Sequence, residues 1–296
     1  MAFFDDLHTQ LGGMFWVVVL GAPVLVLVMI GQVVLRARLR TKQLKQLFRA
    51  GSVVTDRSAP VTGPLAFGLA CGAPLAVDQG LAWNDPSASG LTMLVVREEL
   101  ADQWGVTGSE DWRRVMNTLL VERGHDPADV AVDLRREADV SGPDLPGWQR
   151  IIEDAASIGR ISNASAAKAA VAAERIHRHE ERFRADGLIP DDGVVSSLRA
   201  YDWGRAVNMA RWGVRAGYVD RATADRSVLR AGELCAKQYV SWADLSSGLG
   251  LGRMLFFDEE DFPLHYVEMR EAHRKLLDDE AGPWRTLSWP TPVTQP

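Results

Sequence analysis

The chain has 296 residues, with 33 Lys or Arg against 39 Asp or Glu and a formal charge of −6. From Ala50 onward 27 basic residues stand against 37 acidic ones, which excludes a nucleic-acid binder, since phosphate needs a basic surface. The two cysteines, Cys71 and Cys235, lack metal-ligand spacing and read as ordinary small core residues in a reducing compartment.

In chain order, residues 1–10 form a short N-terminus with Asp5 and Asp6 and no Lys or Arg. Residues 11–35 then run without a charge, LGGMFWVVVLGAPVLVLVMIGQVVL. About 20 apolar residues suffice to cross a hydrocarbon core as a helix, so this run is expected to span a membrane, with Pro23 as a kink. Arg36, Arg38, Arg40, Lys42, Lys45 and Arg49 follow it directly. Positive flanks stay cytoplasmic, which places the N-terminus outside and the remainder inside. A cleaved signal peptide would carry a basic start and a shorter apolar core. The same basic collar can lie on anionic lipid or serve only to set topology. Arginine outnumbers lysine and Ala is abundant, as in a GC-rich bacterial genome, so the expected location is a bacterial inner membrane.

Residues 36–89 are expected to form a basic juxtamembrane segment and a Gly/Pro/Ala-rich linker that runs through the apolar piece LAFGLACGAPLAV into the first packed elements, with room for one short helix. Residues 90–283 read as a helical domain built of helical hairpins. Three stretches share a helix, a short turn, a capping residue and a second helix. The caps are Thr107 (with Glu110 completing a capping box), Ser162 and Asp220. Asp126–Pro127 and Ser241-x-x-Asp244 are further helix starts, Gly124 and Gly187 fit helix ends, and a last helix is expected from His265 to Asp279. No alternating strand pattern of any length is present. The fold class is therefore all-α, with a single N-terminal transmembrane helix. The tail 284–296 is rich in proline and is either disordered or pinned by Trp284 and Trp289.

The helix around SLRAYDWGRAVNMARWGVRAGY carries the strongest signal. Leu198, Tyr201, Arg205, Met209, Trp212 and Ala216 share one face, with Arg205 in the middle of an apolar stripe. Trp203, Val207 and Val214 make a second apolar face, which leaves a narrow strip with Arg211 and Arg215 for solvent. A buried guanidinium must be paired and hydrogen-bonded. Asp202 and Asn208 lie three residues to either side, giving a cluster Asp202–Arg205–Asn208. That cluster is either an ion pair fixing the register of the bundle or the floor of a pocket for a carboxylate or phosphate.

YDWGRAVNMARWG at 201–213, GYVD at 217–220, Ser241–Trp242 and Gly252–Arg253 together resemble the bacterial family called domain of unknown function 1266. QWGV at 103–106 and RGH at 123–125 resemble it too, so the likeness covers roughly residues 90–258. It implies a mostly helical domain with a shared polar core and brings no established activity. It adds Arg253 as a neighbour of Arg205, and two adjacent arginines would want a second carboxylate or an anion. Trp242 and His125 join the candidate site through the same motifs.

Other motifs do not hold. GLGLG at 248–252 lacks GxGxxG spacing and sits in a helix, where its glycines allow close packing. HRHEERF at 177–183 lacks HExxH spacing and reads as a solvated face. The acidic clusters at 258–261 and 278–280 read as solvated helix ends. No catalytic, cofactor or metal motif is present, and none of these groups is expected. The leading expectation is an interaction or scaffold module that sits on the lipid bilayer and meets a membrane-associated protein partner. The alternative is a small-anion sensor or enzyme around Asp202, Arg205 and Arg253, with His125 as acid or base.

Overall fold

The computed structural model describes residues 53–140, 142–257 and 264–290. The chain divides into Met1–Phe48 and Arg49–Pro296, and all described residues belong to the second part. The expected membrane span at 11–35, the basic collar, the acidic cluster at 258–261 and the tail beyond Pro290 lie outside the described residues. Among the described residues no helix is long and apolar enough to cross a membrane.

Twelve α-helices are found among the described residues: α1 Gly63–Cys71, α2 Ala73–Asp78, α3 Met93–Trp104, α4 Ser109–Leu119, α5 Pro127–Glu137, α6 Leu145–Ser157, α7 Asn163–Ala185, α8 Arg199–Ala216, α9 Arg221–Gln238, α10 Trp242–Phe257, α11 Leu264–Asp278 and α12 Pro283–Thr286. The described residues contain no strand, only an isolated parallel bridge between Val54 and Ala82. The starts follow the expected chemistry. Asp126, Ser162 and Asp220 each accept a backbone N–H of the first turn, from Ala128, Ser165 and Thr223. The α4 start differs: its cap is Gly108, and Thr107 donates its N–H and its hydroxyl to Asp111, not to Glu110. Gly124 does not end a helix; it sits in the loop before α5, where a Cβ would collide with the Asp129 carboxylate.

Two apolar cores fill the domain. The first surrounds α8, which packs against α1, α2, α3, α4, α9 and α10. The second lies between α5, α6 and α7 and takes in Tyr266 and Met269 of α11. Helix α10 joins them, giving Leu245 and Leu249 to the first and Leu251 and Met254 to the second. The glycines of the GLGLG stretch make this possible. A Cβ on Gly250 would stand 2.6 Å from Met269 Sδ, and one on Gly252 would stand 2.7 Å from Tyr201 Cβ. Of the three expected hairpins, α6–α7 and α8–α9 pack as pairs, whereas α3 and α4 each pack on α8 instead.

Three sequence expectations are corrected here. Residues 63–78 hold more than one short helix at the end of a linker: they form α1 and α2, in which Ala66, Leu69, Ala70, Cys71, Ala73, Ala76 and Val77 are buried. Small residues that look like loop composition are what two helices need in order to pack closely. Arg211 does not face solvent. It is fully buried, and its Nε and Nη2 donate to the carbonyls of Asp85 (2.6 Å) and Ala82 (2.7 Å), holding the loop before α3 against α8. Burial pulls its pKa down to about 10, against the opposing pull of Asp85. HRHEERF is not a solvated face: His179, Glu180 and Phe183 are buried in the second core. Glu180 pairs there with Arg135 through two hydrogen bonds, of 2.7 and 3.0 Å. The same pair clamps Val195, whose N–H donates to Glu180 (2.8 Å) and whose carbonyl accepts from Arg135 (3.0 Å). The guanidinium also lies 3.9 Å from the Trp148 ring centroid.

Of the alternatives for the tail, pinning holds as far as Pro290. Trp284 donates to the Ala70 carbonyl (3.1 Å) and Trp289 to that of Tyr239 (3.0 Å).

Candidate functional site: a charged cleft at the junction of the two cores

Where the two cores meet, the first turns of α5 and α8 and the last turns of α10 enclose a cleft of about 220 Å³. Its charged lining is a ladder. Arg199, Asp202 and Arg205 recur every three residues along the first turns of α8, so their side chains stack on one face. Asp129 faces them from α5. The Arg199 Nη1 stands 2.5 Å from Asp202 and 3.5 Å from Asp129, and Arg205 closes the other side of Asp202 with an ion pair. The Arg205 guanidinium is further held by three rings: Tyr201 at 4.3 Å, Phe256 at 4.7 Å and Trp104 at 5.4 Å.

Two features make the cleft more than a packed ion pair. The Nε atoms of both Arg199 and Arg205 are buried and have no acceptor, and a buried N–H without a partner costs about 1–3 kcal/mol. The Asp129 carboxyl is pushed up to about 6, first by burial and then by Asp202, Asp126 and Asp133, with Arg199 only partly offsetting them. Burial likewise raises the Tyr201 phenol. A second hollow of about 490 Å³ shares Asp126, Ala128 and Leu255 with the cleft and continues along α7 past Lys168, Val171 and Arg175. Val171 and Phe256 are exposed beside it.

The sign of the Asp129 effect follows from its burial. The fold favours the neutral acid, so this contribution is intact below about pH 4 and is lost as the pH rises through about 6. Buried His179 and His273, both lowered to about 4 chiefly by burial, act in the opposite sense over that range. Asp129 is therefore isolated by difference. The thermal midpoint of Asp129→Asn relative to the wild type is expected to climb between pH 4 and 6. A constant difference across that range would show that Asp129 titrates normally.

The expected site residues divide. Asp202 and Arg205 line the cleft together. Asn208 is buried one turn on, with no hydrogen bond to Arg205 and no partner for its Oδ1. Arg253 does not line the cleft; it pairs with Asp78 of α2 and with Glu268 of α11 (3.1 Å), and its charge acts with that of Arg205 on the Tyr201 phenol. His125 is exposed in the loop before α5 and does not line the cleft. Trp242 lies in the first core, stacked on Trp284 at 5.7 Å and donating to the Leu287 carbonyl (2.8 Å). Sequence reasoning missed Arg199 and Asp129. The three-residue spacing Arg199–Asp202–Arg205 would have given the first; nothing local gives the second. Among the described residues no three His, Cys, Asp or Glu side chains are grouped to hold a metal ion.

The described part is thus an all-helical domain with one charged cleft where its two cores join. The chain belongs to the family described as Protein of unknown function (DUF1266), whose sequence pattern matches residues 99–289. The match takes in every cleft residue and runs on through α11 to the tail tryptophans, while α1 and α2 precede it. No curated protein and no solved structure matches the chain.

Proposed function

We propose that this chain is a membrane-tethered interaction module. Residues 11–35 anchor it in the bacterial inner membrane with the N-terminus outside, and the helical domain works in the cytoplasm on a membrane-associated protein. The anchor rests on the uncharged run and its basic flank, and the acidic domain is repelled from anionic lipid. The observation that carries the binding role is the pair of buried guanidinium N–H groups without acceptors, in a cleft continuous with an apolar hollow. A partner that lays an apolar side chain along Val171 and Leu255 brings a carbonyl or carboxylate to Arg199 and Arg205.

The test is a photo-reactive amino acid placed in living cells at Val171, or at Ile158, which is exposed on α6's far end. A discrete adduct with a membrane-fraction protein is expected from Val171, not from Ile158, and it should fade in Arg205→Gln. The same adduct from both positions, or none from Val171, sinks the reading. A C-terminal reporter active only in the cytoplasm checks the orientation independently.

A second reading, a small-anion sensor or enzyme, draws on the raised Asp129 carboxyl. In it Arg253, which also pairs with α2 and α11, adds its charge from beside Tyr201, and any anion must displace Asp202 from the arginines. It requires that inorganic phosphate raise the thermal midpoint of the wild type and not that of Arg205→Gln.

A further inference from the structure

The chain's only two cysteines come from distant parts of the sequence and meet in the first core. Each sits three residues after a glycine, in Gly68-Leu69-Ala70-Cys71 of α1 and Gly232-Glu233-Leu234-Cys235 of α9. The glycines are where the two helices touch backbone to backbone. A Cβ on Gly232 would stand 3.0 Å from Gly68 Cα, and one on Gly68 would stand 2.5 Å from the Val228 carbonyl oxygen. The two helices pack closely on each other at this contact. One turn further along, Cys71 and Cys235 lie buried in the same core, close enough that Cys235 acts on the Cys71 thiol. A disulfide needs Cα atoms about 4.4–6.8 Å apart, a separation that facing residues on two helices reach when glycines let the backbones touch.

We propose that Cys71 and Cys235 are a redox modification site, joined reversibly into a disulfide by a hydroperoxide. One thiolate attacks hydrogen peroxide; the O–O bond breaks, a sulfenic acid forms, and the released hydroxide takes the thiol proton and leaves as water. The second sulfur then attacks the sulfenic sulfur. The S–S bond forms, the S–O bond breaks, and the oxygen leaves as a second water with the remaining thiol proton. Two electrons pass from the sulfurs to the peroxide, and a dithiol returns them.

Both thiols are buried, and burial together with the neighbouring Cys235 holds the Cys71 thiol well above its usual range. Thiolate is scarce there, so the pair stays reduced until α1 lifts from α9, and oxidation follows the rate of that opening. An apolar groove of about 450 Å³ runs over the same seam and is lined by Phe67, Gly232 and Ala236, which brings solvent to within one turn of the pair. Once formed, the bond fixes both walls of that groove. This site is independent of the Arg205 cleft and does not rest on the function proposed above.

The test uses the full-length chain in the bilayer or detergent that holds it. After mild hydrogen peroxide, the protein is denatured in N-ethylmaleimide and its intact mass is taken. The expected product has lost two hydrogens, carries no maleimide, migrates as a monomer without reductant, and unfolds about 10 °C higher until dithiothreitol is added. Cys235→Ala should show none of these changes and should carry one maleimide. Comparing oxidised with reduced wild type needs no variant, so a poorly folding mutant does not obscure the answer. Two maleimides on peroxide-treated wild type, oxygen added without loss of hydrogen, or links only between chains would overturn the site. A disulfide that leaves the midpoint unchanged would overturn the locking of α1 to α9.

Discussion

Glu180→Ala is expected to lower the stability of the domain by about 3–5 kcal/mol, enough to unfold most marginal domains at physiological temperature. The substitution strips the carboxylate partner from a guanidinium whose side chain is 4% exposed, and leaves the Val195 N–H without its acceptor. A charge stranded in an apolar core is the costly part. Glu180→Leu combined with Arg135→Met should therefore recover much of the loss, because a buried pair is often no better than well-packed apolar groups. Chemical unfolding of the two single variants and the double variant, followed by circular dichroism, decides it. A cost below about 1 kcal/mol for Glu180→Ala, or a double variant as unstable as the sum of the singles, would show that the stranded charge is not the source of the loss. Val195 lies four residues before Arg199, so damage to this clamp should also reach the cleft.

Arg211→Ala should cost a similar amount, about 3–5 kcal/mol, through two different losses. It opens a cavity beside α8, and it leaves the carbonyls of Ala82 and Asp85 without their charged donor. Arg211→Met fills most of the volume and removes the charge that burial disfavours, so its cost should be only about 1–2 kcal/mol. The order of the two variants is the informative quantity, read from thermal midpoints at one pH. If methionine proved as harmful as alanine, hydrogen bonding to the loop would outweigh packing.

Much of the secondary structure was legible because its signals are local. The caps at Asp126, Ser162 and Asp220 and the last helix need no knowledge of the rest of the chain. The role of each arginine was not legible for the same reason. A helical wheel assumes one solvent face, and α8 has none wide enough to identify, since neighbours surround it. Arg211 looked like the solvent strip because its partners are backbone carbonyls of a loop far off in sequence, and carbonyls leave no mark on composition. Arg205, which looked like the buried centre, keeps one edge in an open cleft among aromatic rings. Asp202 was legible beside it because an ion pair three residues apart on a helix is local. Asp129 was not, because only the packing of α5 on the start of α8 brings it there. The extent of helix in residues 63–78 was only partly legible, as the same small side chains serve a loop and a close helix crossing.

The fastening of α1 by the last residues of the domain has a consequence for biogenesis. Its principal partner is α9, and the Ala70 carbonyl is held by Trp284. During synthesis α1, the earliest helix among the described residues, thus leaves the ribosome long before either partner exists. Much of its apolar surface stays uncovered until α8 and α9 have been made, and the first core closes only once Trp284 follows. A ribosome that stalls before α9 would leave a chain whose α1 lacks its principal partner, and such a chain is a natural target for chaperones and proteases.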